Sequence, residues 1–203
     1  VQGRDYWDNR SLDKSIIIND DQTKSILNIS HLKSATPRLE AFALVSFETS
    51  TKVAQVIGID PDGEHKMTGL KNLLDSGRYL VKNDGGALVA EGLARSLKIS
   101  IGDSIVLYGQ GYHGMIAAAR VPVSGLVKLP FQEMNNGMVF LALENAQLVY
   151  SAPQRITSLS LMIDNISHLS QVQKDVREVI GPDYAIMSWD QMMPDLLQNI
   201  QLD

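Results

Sequence analysis

Cysteine is absent from the 203-residue chain, which excludes disulfide bonds, thiolate metal ligands and cysteine nucleophiles. Runs of positive charge are also absent: 18 Lys and Arg are set against 23 Asp and Glu, the formal net charge is -5, and no two basic residues are adjacent. This distribution disfavours a surface that binds nucleic acid. The longest apolar run, Met138–Leu143, is far shorter than the roughly 20 residues that span a bilayer, so we expect no membrane-crossing segment here.

Strand-like and helix-like patterns are mixed along the whole chain, which predicts an α+β fold. In the first third, Asn19, Asp20 and Asp21 are each suited to cap a short helix ahead of Ile26 and Ile29. The β-forming run Leu39–Phe47 and the apolar run Val53–Ile59 predict a hairpin. Pro61 is suited to the first turn of a helix, which we expect to continue to Gly77.

The middle third has several short strands and little helix. Strands are predicted over Ala87–Val89, Ser104–Tyr108, Met115–Val127 and Met138–Leu143, with one helix over Glu91–Leu97. The sequence Asn135-Asn136-Gly137 is typical of a turn before the last of these strands. We interpret residues 61–150 as a β-rich insertion.

The last third returns to a mixed pattern. Ile156–Ile163 alternates like a strand, Ser167 can cap the helix that follows, and Tyr184–Trp189 predicts a further strand. Leu196, Leu197 and Ile200 lie on one stripe of a predicted terminal helix. Since the first and last thirds each read as strand, helix and strand, we expect residues 1–60 and 151–203 to form one discontinuous subdomain.

The segment Gly109–Gly114 matches the pattern G-x-G-x-x-G of dinucleotide-phosphate loops. Such a loop needs a helix that begins at its third glycine, whereas the residues from Met115 onward read as a strand. We therefore interpret the segment as a hairpin loop. The alternatives are a loop that contacts a partner protein and, as a different functional class, the phosphate loop of a small nucleotide- or metabolite-binding enzyme.

Neither a metal centre nor a catalytic site is predicted. The four histidines, His31, His65, His113 and His168, are scattered, and we find for none of them a second ligand at a spacing that would place both on one face of an element. No G-x-S-x-G motif or carboxylate pair suggests acyl or glycosyl transfer. We expect no cofactor, no bound metal and no enzymatic activity.

Several short motifs occur in an order that resembles one known family, and together they cover most of the chain from Val53 to Trp189. The motifs are Val56-Ile57-Gly58-Ile59-Asp60-Pro61, Ala90-Glu91-Gly92-Leu93-Ala94, Ile101-Gly102-Asp103-Ser104-Ile105-Val106-Leu107, Val123-Ser124-Gly125, Met138-Val139-Phe140-Leu141, Leu143-Glu144-Asn145-Ala146-Gln147 and Ser188-Trp189. The chain resembles the extracytoplasmic core domain of ABC-transporter permeases of the macrolide-exporter and lipoprotein-releasing type.

The resemblance implies a fold and a setting. The fold would be a porter-like, βαβ-containing subdomain interrupted by a β-rich insertion called the sabre. The protein would be an inner-membrane permease with this domain outside the membrane. Its partners would be a cytoplasmic ATP-binding subunit or domain, a second permease copy and a periplasmic adaptor or chaperone. The domain would transmit ATP-driven motion to export or release a lipoprotein, a peptide or a small molecule.

The resemblance also suggests where partners would bind. Gln110, Tyr112 and His113 lie at the tip of the insertion hairpin and are predicted to contact a partner protein, and replacing this loop by Asn-Gly is expected to leave the fold intact. Leu196, Leu197 and Ile200 are predicted to couple the domain to membrane helices. The permease hypothesis further predicts that the two ends of the domain lie close together on one side. A free-standing periplasmic interaction module is the remaining alternative.

Overall fold

The computed structural model describes residues 1–188 and Gln191. Its strands are β1 (Gln2–Gly3), β2 (Leu32–Phe47), β3 (Ser50–Ile59), β4 (Leu74–Gly77), β5 (Ala87–Ala90), β6 (Ser104–Gln110), β7 (Ile116–Val127), β8 (Met138–Ala142), β9 (Ser158–Ile163) and β10 (Tyr184–Ala185). Its α-helices are α1 (Tyr6–Asn9), α2 (Asp20–Leu27), α3 (Pro61–Thr68), α4 (Glu91–Leu97), α5 (Gln132–Gly137), α6 (Leu143–Val149) and α7 (Leu169–Ile180). The α+β prediction is confirmed.

All ten strands belong to one hydrogen-bonded sheet, nine of them in the order β10-β1-β9-β2-β3-β8-β5-β7-β4. Strand β6 pairs with both β2 and β7, so β2, β3, β8, β5, β7 and β6 form a closed ring of six strands. Closure removes free strand edges from this part of the sheet, because each strand of the ring is paired on both sides. We call these six strands the strand ring.

Strand β2 connects the strand ring to the rest of the sheet. Residues 38–47 pair with β3 on one edge, and on the other edge residues 43–46 pair with β6 and residues 32–38 pair with β9. With 16 residues at about 3.3 Å each, β2 is about 50 Å long if straight. It therefore runs from its pairing with β9 to the turn at Glu48 and Thr49.

Two hydrophobic clusters fill the fold. The larger one fills the strand ring and continues between the ring and the helices packed on it, and it includes Val45, Val56, Leu88, Leu107 and Leu141. The smaller one, which we call the α2–α7 cluster, packs those two helices against β9 and consists of Ile16, Ile26, Ile156, Leu159, Val172, Val176 and Ile180. The predicted subdomain boundaries after residues 60 and 150 stay a prediction.

Helix α3 is fixed to β2 by a buried ion pair. Asp60 is the N-cap residue and Pro61 occupies the first turn, as expected. The Arg38 guanidinium on β2 donates two hydrogen bonds of 2.8 Å to the Glu64 carboxylate, whose side chain is only 4% exposed. Such a pair is costly to break one partner at a time, since the remaining charge would stay buried.

Several local predictions are confirmed. Asn19 caps α2 and forms a capping box with Gln22, whose backbone N–H donates to the Asn19 Oδ1 at 2.8 Å. The β2–β3 hairpin and the helix over Glu91–Leu97 occur as expected. These features depend on residues close in sequence, which is why the pattern was sufficient to predict them.

Other local predictions are wrong. The helix expected to reach Gly77 ends at Thr68, because Gly69 adopts a left-handed conformation with φ +74° and the chain then forms β4 against β7. The expected turn at Asn135-Asn136-Gly137 is part of α5. Asn165 rather than Ser167 caps the turn before α7, since its side chain accepts a hydrogen bond from the Ser167 N–H. Strand β10 comprises only Tyr184 and Ala185, and Trp189 lies outside the described residues.

Candidate functional site

The beginning of the chain and its described end lie side by side. Strand β1 is inserted between β9 and β10, where Gln2 pairs with Ser158 on one side and with Ala185 on the other. The Val1 nitrogen donates a hydrogen bond of 2.8 Å to the Leu159 carbonyl, and the Gln2 side-chain amide donates to the Met187 sulfur at 2.9 Å. For the described residues, the expectation that the two ends are neighbours is confirmed.

An apolar groove of about 290 Å³ opens beside these ends, between α7 and the outer strands. Aliphatic side chains such as Leu161 and Val172 line it together with Tyr6 and Glu40. Burial raises the pKa of the Tyr6 hydroxyl to about 12, and the nearby Glu40 carboxylate adds to this effect. Tyr6 therefore stays neutral at physiological pH, as expected for a packing residue beside an apolar groove.

The glycine-rich segment is a hairpin loop, as predicted. Strand β6 ends at Gln110 and the antiparallel strand β7 begins at Ile116, with Gln110 paired to Ile116 across the loop. The residues after Gly114 continue into β7 and not into a helix, so no helix N-terminus is presented to a phosphate. This geometry contradicts the phosphate-loop alternative.

The predicted partner loop is packed against its own chain. The Tyr112 N–H donates to the Tyr150 carbonyl at 2.8 Å, and the His113 N–H donates to the Asp13 Oδ1 at 2.7 Å. The Tyr112 ring lies between the His113 ring, 3.9 Å away, and the Arg155 guanidinium, 4.3 Å away. Gln110 and His113 are exposed, whereas Tyr112 is half-buried by these contacts. The loop thus connects three distant parts of the chain, and its binding to a partner stays a prediction.

A larger exposed surface lies on the outside of the strand ring, and we call it the outer apolar face. Neighbouring strands place their outward side chains in register: Val53 of β3, Leu44 of β2, Tyr108 of β6 and Ala118 of β7 form one row across the sheet. The large apolar residues exposed there are Phe42 50%, Leu44 43%, Val53 65%, Val106 44%, Tyr108 51% and Ile116 69%. Contiguous apolar surface of this kind is typical of interaction sites.

Sequence reasoning missed the outer apolar face, although a signal was present. In Ala41–Val45 every position is apolar, so the run fits a strand buried on both faces as well as one with an exposed apolar face. Only the pairing of β2 with β3 and β6 shows that Phe42 and Leu44 point outward while Ala43 and Val45 point into the core.

A second missed feature brings two histidines to one carboxylate. The Asp164 carboxylate lies 3.0 Å from the His31 Nδ1 and 2.8 Å from the His168 Nδ1, and the two rings are stacked with centroids 3.6 Å apart. Hydrogen bonds, first from His168 and then from His31, lower the pKa of Asp164 to about 2. The expectation that no histidine has a ligand at a suitable spacing is therefore wrong, because Asp164 and His168 are four residues apart.

The predicted coupling residues Leu196, Leu197 and Ile200 lie outside the described residues. Within the part of the chain that the structure describes, no helix has the length and apolar character needed to cross a bilayer.

Comparison with known proteins gives consistent matches along the chain. A family model described as "MacB-like periplasmic core domain" matches residues 2–179. The lipoprotein-releasing system transmembrane protein LolC of Xylella fastidiosa strain 9a5c is 26% identical over 176 residues, which is 83% of this chain and 42% of that protein. LolE of Haemophilus influenzae is 28% identical over 142 residues, covering 66% of this chain and 34% of that protein. The chain thus spans less than half the length of these relatives.

Two solved structures share the fold. The extracellular domain of the noncanonic ABC-type transporter YknZ from Gram-positive bacteria has a TM-score of 0.64 and 12% identity, covering 86% of this chain and 90% of that one. The periplasmic region of MacB from Actinobacillus actinomycetemcomitans has a TM-score of 0.64 and 16% identity, covering 100% of this chain and 91% of that one.

Proposed function

The chain belongs to the family of MacB-like periplasmic core domains, which are domains of ABC-transporter permeases, and from this premise we propose that it transmits ATP-driven motion outside the membrane. The domain acts in an inner-membrane permease together with a cytoplasmic ATP-binding subunit or domain. The transported cargo is a lipoprotein, a peptide or a small molecule. The domain itself performs no catalysis.

The observation that carries this proposal is the adjacency of the chain ends in β1 and β10. Strands β9 and β10 both run antiparallel to β1, so the chain before Gln2 and the chain after Ala185 point in the same direction. A displacement applied at these ends acts on β9 and, through six paired positions, on β2. Since β2 continues into the strand ring, this displacement would move the ring as well.

The outer apolar face supports a contact with a second copy of the domain. In a twofold-symmetric contact the same patch meets itself, so charged residues near its centre would face like charges. Among the described residues that share the outward direction of Leu44 and Tyr108 on these four strands, Glu40 and Arg120 are charged, and neither lies in the central row. Glu40 is four residues from Leu44 along β2 and accepts a hydrogen bond from the Gln55 side chain, and Arg120 lies on β7 opposite Val106. We therefore assign the partner contact between two copies to this face.

Distance measurements between spin labels would test the proposal in the complete permease with its ATPase. Because the domain contains no cysteine, a single Val53→Cys substitution places one label on the outer apolar face. We expect the distance between labels on two copies to change when ATP binds. The matched control is a double label within one copy, at Val53→Cys and Leu148→Cys, both highly exposed, whose separation should stay constant if the domain moves as a rigid body.

An inter-copy distance that is the same with and without ATP, while ATP is being hydrolysed, would contradict motion transmission. A change in the internal Val53 to Leu148 distance of the same size as the inter-copy change would contradict a rigid domain. Labels too far apart to interact in every state would exclude the outer apolar face as the contact between copies.

A further inference from the structure

We propose that His31, Asp164 and His168 form a binding site for a divalent first-row transition metal ion of the zinc type. His31 lies in the connection from α2 to β2, and Asp164 and His168 lie in the connection from β9 to α7. Each of the three residues offers one possible ligand atom, and these three atoms all lie within 4.8 Å of one another.

The distances suit a shared ion. The Asp164 carboxylate oxygens are 3.0 Å from the His31 Nδ1 and 2.8 Å from the His168 Nδ1. Two ligands at about 2.1 Å from one ion and at the tetrahedral angle that zinc prefers are about 3.4 Å apart, so each nitrogen would move away from the carboxylate oxygen by only about 0.5 Å. Two imidazole nitrogens and one carboxylate oxygen are ligands preferred by zinc, copper and nickel, whereas calcium and magnesium prefer oxygen alone.

The backbone holds the three residues together without an ion. His31 adopts a left-handed conformation with φ +68°, and its carbonyl accepts a hydrogen bond of 2.9 Å from the Asp164 N–H. Leu32, which follows His31, pairs with Ile163, which precedes Asp164, at the end of the β2–β9 ladder. Asn165 caps the next turn through the Ser167 N–H at 2.9 Å, which places His168 on the side of Asp164. The ligands are therefore positioned by the fold.

The site is open to ions and water. The side chains of His31, Asp164 and His168 are 40%, 37% and 37% exposed. In the metal-free arrangement the two rings stack, and each Nδ1 faces the carboxylate. An ion would take the place of the protons between these nitrogens and oxygens, and the exposed rings can rotate apart to direct their lone pairs at it. Water would complete the coordination.

The location gives the ion a structural effect. It would join the α2–β2 connection to the β9–α7 connection at the C-terminal end of β9. Strands β9 and β10 run in the same direction, since both are antiparallel to β1. The ion would therefore stiffen the Leu32–Ile163 end of the β2–β9 ladder. This inference does not depend on the proposed transport function, because it concerns a site within the isolated domain.

The experiment is a calorimetric titration of the metal-stripped 203-residue chain with Zn²⁺, supported by the absorption spectrum of the Co²⁺ form. We expect one ion per chain and visible Co²⁺ bands that indicate nitrogen and oxygen ligands. The variants His31→Asn, Asp164→Asn and His168→Gln should each weaken binding by at least about tenfold, because each removes one of three protein ligands. Asparagine at position 31 is chosen because it tolerates a left-handed backbone.

The matched control is His113→Gln, which removes another exposed histidine away from the cluster and should leave the affinity unchanged. Thermal unfolding in a chelator verifies that each variant is folded, and added Zn²⁺ should raise the midpoint only of proteins with all three ligands. Absence of saturable binding to the unmodified chain overturns the proposal. Undiminished binding by a variant that carries all three substitutions, or an equal loss of affinity in His113→Gln, overturns it as well, since the ion would then lie elsewhere.

Discussion

Asp84 organises the connection between β4 and β5 with both oxygens of its carboxylate. The Arg78 guanidinium donates two hydrogen bonds to it, and the backbone N–H groups of Val81 and Gly86 donate two more at 3.2 and 2.8 Å. The hydrogen bonds from Arg78, followed by those from the backbone, hold the pKa of Asp84 below its ordinary value. A charged acceptor with four donors fixes a segment that has no regular secondary structure of its own.

We expect Asp84→Asn to lower the free energy of unfolding by about 2 kcal/mol at neutral pH, because the amide cannot accept all four bonds. Most of this loss is assigned to the backbone bonds, since the Arg78 side chain is 59% exposed and its attraction is screened by water. Chemical denaturation would measure it, with Asp75→Asn, an exposed carboxylate on β4, as the control.

The same variant predicts a pH dependence. A carboxyl whose pKa is lowered on folding stabilises the protein above its unfolded pKa, and this contribution is lost as the pH falls through the folded pKa. The difference in stability between the unmodified chain and Asp84→Asn should therefore be constant above about pH 4 and shrink below it. A difference that stays constant to the lowest pH at which the chain folds would show that the Asp84 charge is not involved.

At the scale of elements, the β6–β7 loop is a contact between distant parts of the chain. Gly111 lies so close to the end of α6 that an added Cβ would be 2.6 Å from the Tyr150 carbonyl oxygen. The hydrogen bonds to Tyr150 and Asp13 and this close approach lead us to expect that replacing the loop by Asn-Gly would destabilise the fold, contrary to the prediction from the sequence. The hairpin loop is part of the packed structure.

We expect Gly111→Ala to destabilise the chain by about 1–3 kcal/mol, because the loop or α6 must shift to accommodate the methyl group. Gly85→Ala is the matched control, since a Cβ there meets nothing within 4 Å, and its effect should stay within about 0.5 kcal/mol. Equilibrium unfolding in urea would compare the two. Equal stability of both variants would mean that the loop is not held against Tyr150.

At the scale of the whole molecule, the two hydrophobic clusters divide the interior while one sheet continues across both. The α2–α7 cluster includes residues from the first and last thirds of the chain, such as Ile16 and Val176. The larger cluster takes most of its residues from the middle third. Leu143 packs against both clusters. Local opening of one cluster is therefore possible without loss of the other, because few side chains are shared.

Hydrogen exchange would test this division. Val176→Ala leaves a cavity in the α2–α7 cluster, which costs about 2 kcal/mol, and should speed amide exchange in α2 and α7 while β5 and β8 keep their protection. Val89→Ala, inside the strand ring, should produce the opposite pattern. Faster exchange over the whole chain in both variants would show a single cooperative unit, and would also argue against the predicted division into two subdomains.

Features that depend on neighbouring residues and on ordered motifs could be predicted from the amino-acid pattern alone. Asn19 lies directly before α2, so the sequence could identify it as a candidate cap, and the apolar run Val53–Ile59 after a polar segment was sufficient for the hairpin. The order of short motifs from Val56 to Trp189 was sufficient for the family, because it reflects many positions at once. Helix ends such as Thr68 were less predictable, since a tertiary contact, the pairing of β4 with β7, competes with the local helical pattern.

Contacts between residues far apart in sequence could be identified only in the folded chain. His31 and Asp164 are 133 residues apart and come together because β2 pairs with β9. The outward direction of Phe42 and the docking of Tyr112 on Tyr150 likewise depend on strand register and ring closure. The physical reason is that pairing between distant strands is set by the free energy of burying the whole core, whereas a sequence pattern reports only the preferences of adjacent residues.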